Sequence, residues 1–233
     1  MAGRRVSVVI TTWNHLDDLL KPCIESIKRN TSQRYNVELI IVANGCIDDT
    51  PLYLEQLHIS NPDRYKIFVT PEQIGFTKAA NIGFKMATAD HVVILNNDIR
   101  ILDFGIDMWL DRLFMQFDRD PMVAATGPLY LHDPNSGRNF LVSFCTMYRM
   151  DLLRRFGYYD EIFAPAWGED IDLCIKFQDA GFKTVLCLDP SYLGGYPIWH
   201  VNNASYSQVS EFSAIVARNG KILKDRYNSG SKT

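Results

Sequence analysis

HVVILNNDIR, residues 91–100, is the stretch on which the reading of the chain turns. Val92, Val93, Ile94 and Leu95 form an apolar run that stops at two amides and a carboxylate, Asn96, Asn97 and Asp98. A short apolar run rich in β-branched residues marks a strand buried on both faces. Asn and Asp are ordinary turn formers, so a plain turn accounts for the polar end. A second account is that open α/β sheets bind ligands at the carboxyl ends of their strands.

Moving outward, VSVVITT (6–12), VELIIVA (37–43) and KIFVT (66–70) carry the same strand signal. Between the first two, Leu16, Leu19, Leu20, Cys23, Ile24 and Ile27 fall at helical spacing, with Asn14 as a candidate N-cap and Asp17 three residues on. Pro22 conflicts with that helix, because it removes a backbone bond and should kink it. A further helix is expected over 77–87. Strand alternating with helix argues for an α/β fold with a mainly parallel, doubly wound sheet. The loops after the strands, Thr11–Asn14, Ala43–Thr50 and Asn96–Asp98, then share one edge and predict a ligand cleft there.

Beyond residue 100 the pattern is mixed. It predicts a helix near 107–118, a strand over FLVSFCTMYR (140–149), and a short helix over 152–157 ending at Gly157. A helix within 168–182 is closed by Gly181, and KTVLCLD and YPIWH read as strands. No repeat, low-complexity segment or long linker interrupts the chain. The expectation is one domain over 1–228, with halves meeting near residue 100 and a disordered tail over 229–233.

With 233 residues, 47% hydrophobic and 22% charged, the composition is that of a globular protein with a full core. A net charge of −3 without a dense basic run gives no footing for nucleic acid. No apolar stretch approaches the roughly 20 residues of a membrane helix. Two arginines precede the first apolar run, but that run is too short for a signal peptide and reads as the first strand. The five cysteines are scattered without CxxC spacing, which suits reduced thiols in a cytoplasmic setting.

The familiar devices GxGxxG, GxxxxGK[ST], HExxH and GxSxG are missing from the sequence. Asp98, at a strand end, is a hard oxygen donor suited to Mg2+ or Mn2+, though one carboxylate needs further ligands. His200 closes the YPIWH strand, where a solitary histidine is either structural or a ligand. In PAWGEDIDLC (165–174), Glu169, Asp170 and Asp172 crowd a helix start, where acidic residues complement the helix dipole. The same dipole favours the ionised carboxylate that a general base requires. Trp167 beside them offers a flat apolar surface. Residue chemistry alone reaches a nucleotide- or phosphate-binding α/β enzyme.

In order, VSVVITTWNHLDDLLKPCIESI, ELIIVANGCIDDT, GFTKAANIGFKMA, VVILNNDI and FGYYDEIFAPAWGEDIDLCIKFQDAGFK resemble the family-2 glycosyltransferases with the GT-A fold, over roughly residues 5–202. Within that family the chain resembles bacterial rhamnosyltransferase-type enzymes of polysaccharide assembly. The resemblance implies a nucleotide-binding first half and an acceptor-binding second half. It places Thr11 and Trp13 near base and ribose, Asn96 toward the ribose, and Asp98 with His200 on a divalent metal, Mn2+ or Mg2+. Lys78 is either a nucleotide contact or a solvated surface lysine. Asp170 becomes the catalytic base, Glu169 and Trp167 shape the acceptor site, and Asp172 supports the loop.

The implied activity is inverting transfer from a UDP-, dTDP- or GDP-sugar to a hydroxyl of a glycan or lipid-linked acceptor, in the cytoplasm or peripheral to the membrane. Ala43 departs from the pattern, since the family commonly has an Asp there that touches the nucleobase; Asn44 or Asp48 is the candidate replacement. That departure favours a rival class, a catalytically silent sugar-nucleotide or glycan-binding domain. WGED and His200 oppose it. A nucleotidylyltransferase predicts a Gly-rich phosphate loop with a lysine after the first strand, and TTWNHLDD has neither.

Overall fold

Runs of Val and Ile with both faces buried form the centre of the molecule, seen in a computed structural model that describes residues 3–188, 195–201 and 211–228. β1 (Arg4–Thr12) leads through a π-helical turn (Leu16–Leu20) into α1 (Lys21–Arg29), β2 (Tyr35–Asn44), α2 (Thr50–Ser60), β3 (Tyr65–Thr70), α3 (Phe76–Met86) and β4 (His91–Asn96). Then come β5 (Ile99–Ile101), α4 (Met108–Arg119), β6 (Val123–Gly127) and a hairpin of β7 (Tyr130–Asp133) with β8 (Arg138–Leu141). β9 (Cys145–Arg149), α5 (Met150–Phe156), a 3-10 turn (Glu161–Phe163), α6 (Glu169–Asp179), β10 (Lys183–Leu186), β11 (Ile198–His200) and α7 (Phe212–Tyr227) follow.

Seven strands make the main sheet in the order β10-β6-β9-β4-β1-β2-β3. β1 pairs in parallel with both β2 and β4, β2 with β3, and β6 with β10, whereas β9 runs antiparallel between β4 and β6. The expected mainly parallel α/β sheet is therefore present. Side chains alternate across it. Val8 and Ile10 join α1, α4 and Trp109 in one apolar cluster, while Val9 and Ile94 join α3 and α6 in the other. Gly83 of α3 lies so close to β1 that a Cβ there would meet Val9 Cγ1 at 2.3 Å. That approach presses the helix onto the strand.

The chain leaves β1 toward β2 and β3, then returns to lay β4 on the other side of β1. This reversal opens a crevice at the carboxyl ends of β1 and β4, the usual ligand position in open α/β sheets. Thr11 and Asn96 face each other across it in register. In the second half, β11 pairs antiparallel with β5, and the register places His200 opposite Ile99.

Several local expectations are corrected. Asn14 does not cap a helix: Asn14 and His15 both hold positive φ (54° and 59°), and Asn14 Oδ1 instead accepts from Ile47 N at 2.8 Å. Pro22 produces no kink inside a single helix. A π-helical turn ends before it, and Pro22 sits in the first turn of α1, where a missing N–H costs nothing. The expected strand over 140–149 breaks at 142–144 into β8 and β9. Gly157 and Gly181 do end helices, both with φ near 85°. α2, α7 and the short strands β5 and β7 are additions to the sequence reading. The expected tail over 229–233 lies outside the described residues. No helix among the described residues is long and apolar enough to cross a membrane.

Candidate active site

Three loops after strands meet at the crevice and are tied to one another. Cys46 Sγ receives Asn14 N (3.2 Å), and Asp48 accepts Leu16 N and Thr50 N (3.2 and 3.1 Å). Asn44 Oδ1 accepts Ile74 N at 2.8 Å. Asn97, only 5% exposed, donates to Thr12 Oγ1 at 2.9 Å and so joins the ends of β4 and β1. The polar end of HVVILNNDIR is thus part turn chemistry and part frame: Asn97 holds the edge while Asn96 and Asp98 face the space.

That space is a cavity of about 350 Å³. Thr11, Trp13, Asn44, Asn96, Asp98, Trp167, Glu169, Asp170 and His200 all line it, so most of the residues singled out from sequence converge; Lys78, Asp48 and Asp172 do not. Lys78 is exposed on α3 and is not part of the lining. Asp48 is likewise outside the lining and is occupied by its two backbone donors. Asn44 does line the cavity; with its oxygen engaged, it offers the Nδ2 donor.

Asp98 and His200 form a polar pair at the strand ends. Their Oδ1 and Nε2 atoms are 3.3 Å apart, and neither has a hydrogen-bond partner. Buried polar atoms are almost always satisfied, so two such atoms 3.3 Å apart without hydrogen bonds suit a ligand that would bind both. The His200 ring stacks on Phe144, with centroids 4.5 Å apart, and Val201 N donates to Asp98 O at 3.2 Å. Among the described residues no cluster of three or more His, Cys, Asp or Glu could hold a metal, so this edge supplies two donors.

Ser143 and Phe144 connect this pair to the acidic helix start. Phe144 O accepts Asn96 N at 3.0 Å, while Ser143 N donates to Asp170 Oδ2 at 3.1 Å. The strand break at 142–144 therefore has a purpose: it turns a backbone N–H away from the sheet and onto a carboxylate. Asp170 Oδ1 also accepts Ile171 N at 2.9 Å. Burial raises the Asp170 carboxyl to about 6, opposed by these backbone donors. Glu169, next to it, accepts from Thr77 Oγ1 at 3.3 Å; burial first, and the Asp170 charge second, push it further, to about 8. Both carboxyls are thus raised, chiefly by burial, and the pair titrates as a unit that resists double ionisation. Asp172, fully buried, turns away from the cavity and accepts from Arg226 (2.5 Å) and Tyr227 (2.6 Å) of α7.

The outer wall contains residues that the sequence reading passed over: Leu131, Phe140, Phe212 and Ile215. Phe212 and Ile215 belong to α7, whose Asn219-Gly220 pair looks like a turn in sequence and hides the helix.

The doubly wound sheet thus carries a carboxylate and a histidine at its switch point, facing a buried carboxylate pair across one cavity, and its fold is of the GT-A class, as its likeness to solved structures shows. Residues 7–170 match the family described as Glycosyl transferase family 2. The chain belongs to that family. Among solved structures it is similar to a mannosyltransferase from Pyrobaculum calidifontis in complex with GDP-Man and Mn2+, at 19% identity and a TM-score of 0.60, covering 83% of this chain and 59% of that one. It is also similar to GalNAc-T7 with UDP, GalNAc and Mn2+, at 15% identity and a TM-score of 0.68, covering 79% of this chain and 43% of that one. A teichoic acid poly(glycerol phosphate) polymerase of Staphylococcus epidermidis is 23% identical over 104 residues, 45% of this chain and 14% of the polymerase. The chain thus spans only part of the length of each of these proteins.

Proposed function

We propose that the protein is a metal-dependent, inverting glycosyltransferase that moves a sugar from a nucleotide-diphosphate sugar to a hydroxyl of a glycan or lipid-linked acceptor, and that residues 1–228 act as one domain. The observation that carries this reading is the single cavity in which the unsatisfied Asp98–His200 pair and the buried Asp170 carboxylate are linked through Ser143 and Phe144.

A carboxylate oxygen and an imidazole nitrogen suit Mn2+ or Mg2+ when diphosphate oxygens complete the shell. Such an ion, when bound, neutralises charge on the leaving diphosphate. Thr11, Trp13, Asn44 and Asn96 line the donor side and orient nucleoside and ribose. With Ala43 in place of a base-reading carboxylate, the Nδ2 donor of Asn44 is the polar group nearest in sequence that faces the cavity. Asp170, held by two backbone N–H groups, takes the proton of the acceptor hydroxyl as that oxygen attacks the anomeric carbon. The raised pKa of Glu169, from burial and the neighbouring Asp170 charge, disfavours a second negative charge beside the diphosphate. Trp167 gives the acceptor a flat face.

Calorimetric titration against UDP-, GDP- and dTDP-sugars, with and without Mn2+, tests the donor site. Metal-dependent binding of one nucleotide, lost in Asp98→Ala, is expected; binding to none, or binding indifferent to the substitution, overturns the assignment. Asp170→Asn should lower transfer by on the order of 100-fold or more while leaving donor affinity unchanged. It should also remove an acidic limb in kcat/KM near pH 6, where the native carboxyl titrates.

A further inference from the structure

The loop over 162–167 carries Trp167 and runs directly into Glu169 and Asp170. Beyond the 3-10 turn at its start it has no regular backbone pairing, yet each of its carbonyls is held from outside. Arg218 donates to Ile162 O (3.2 Å) and to Ala164 O. Asn219 Nδ2 lies 2.8, 3.0 and 2.7 Å from Phe163 O, Ala166 O and Trp167 O, its two N–H groups serving three acceptors with one of them shared. Thr77 N donates to the remaining carbonyl, Pro165 O, at 3.2 Å. Two consecutive side chains of α7 therefore account for five of the six carbonyls between Ile162 and Trp167.

The arrangement is oriented as well as dense. Asn219 is fully buried, and its Oδ1 accepts from Arg218 Nε at 2.8 Å, which fixes the amide so that its N–H groups face the loop. Trp167 and Gly168 both hold positive φ (74° and 103°), a conformation that an unbraced loop would abandon. Arg226 and Tyr227, one end of α7, anchor on Asp172, while Phe212 and Ile215, near its other end, line the cavity. α7 lies wholly outside the residues matched by the family, 7–170.

We propose that α7 braces the acceptor side of the site, with Arg218 and Asn219 as positioning residues that set the Trp167 loop and, through it, Asp170. The brace rests on the proposed glycosyl transfer only for its catalytic consequence; its mechanical part stands independently. Geometry of this kind matters because misplacing a catalytic group by about 1 Å can cost on the order of 100-fold in rate.

The test compares wild type with Asn219→Ala, Arg218→Ala and Lys221→Ala. Lys221 is an exposed α7 residue that pairs with Asp225 one turn on and serves as the control. Arg218 is itself exposed, so its variant keeps the test usable if the buried Asn219→Ala fails to fold. Amide hydrogen exchange is read over 162–171 and over 11–14, and, with whichever nucleotide sugar the wild type binds, donor affinity and kcat are measured. Expected is exchange faster on the order of tenfold at 162–171 but not at 11–14, with kcat down on the order of tenfold and donor affinity unchanged. The control should match wild type throughout.

Loop exchange at the wild-type rate in the folded variants overturns the brace. A loosened loop with kcat unaltered overturns the positioning role of Arg218 and Asn219 and leaves α7 a purely structural prop. If the wild type binds no nucleotide sugar, the functional reading falls instead, and the exchange measurement still decides whether α7 holds the loop.

Discussion

At the scale of single residues, the site is governed by what burial does to charge. Glu169 and Asp170 are adjacent, 4% and 9% exposed, and raised together because desolvation disfavours the carboxylate. A carboxyl with a raised folded-state pKa binds its proton more tightly in the native state. Its favourable contribution is therefore complete below the unfolded value and is lost as pH rises toward the folded one. For Glu169 that window runs from its ordinary value of 4.5 to about 8. Glu169→Gln keeps the shape and removes the titration, so it should raise unfolding free energy by about 2–4 kcal/mol at pH 8 and change it little at pH 5. Denaturant melts at the two pH values check this, and a gain equal at both would refute it. Asp98 and His200 belong to the same scale: their roles are legible as residue types, but only their 3.3 Å approach without hydrogen bonds makes them a site.

At the scale of elements, the molecule depends on how α6 is fastened. Asp172 is inaccessible and receives Arg226 and Tyr227 from α7 and Lys176 (2.7 Å) from its own helix. Replacing it with Ala leaves Arg226 with its second carboxylate partner, Asp160 (2.9 Å), and loosens α7 from α6. Because Arg226 is partly open to solvent, the loss is set below that of a fully buried pair, at about 2–4 kcal/mol. The melting temperature and the protease sensitivity of residues 211–228 are the measurements, and an unchanged melt would show that α7 docks through its apolar contacts instead.

The first half of the fold was legible at this scale because parallel strands buried on both faces are written as continuous Val/Ile runs, as in β1, β2 and β4. The second half was less so. FLVSFCTMYR has the composition of one strand, but Ser143 N is claimed by Asp170, a residue 27 positions away, and the ladder breaks there. Asn14 has the chemistry of a cap, yet a loop 33 residues on uses its oxygen. α7 contains Asn-Gly, a turn signal that is overridden because Asn219 finds its partners in another loop and Gly220 packs against Asn135.

At the scale of the whole molecule, acid and base act on opposite ends of the sheet. His91 opens β4, its ring set edge-on to Phe114 and Phe117. Burial, aided by the nearby Arg4 charge, lowers its pKa to about 4. A depressed histidine contributes stability above its unfolded value of 6.5, which is lost as pH falls toward the folded value. Glu169 acts in the other direction, so the native state is squeezed from both sides. His91→Phe should raise stability by about 1–3 kcal/mol at pH 4.5 relative to its effect at pH 8, provided the larger ring is accommodated. A pH series of thermal melts on both proteins would check this, and parallel curves would exclude His91 as the acid-sensitive group.

The sequence by itself determined the sheet class, the strand-end placement of the polar loops and the chief polar residues that line the cavity. Those features depend on local patterning: apolar runs make buried strands, and alternation with helices places their carboxyl ends on one edge. Only the tertiary structure decided which of those residues act together. The Asp98–His200 pair, the backbone donors on Asp170, the exclusion of Lys78 and Asp48 from the cavity and the bracing of the Trp167 loop by α7 all join segments far apart in the chain. Their partners are chosen by how sheet and helices pack, and no local pattern encodes that choice.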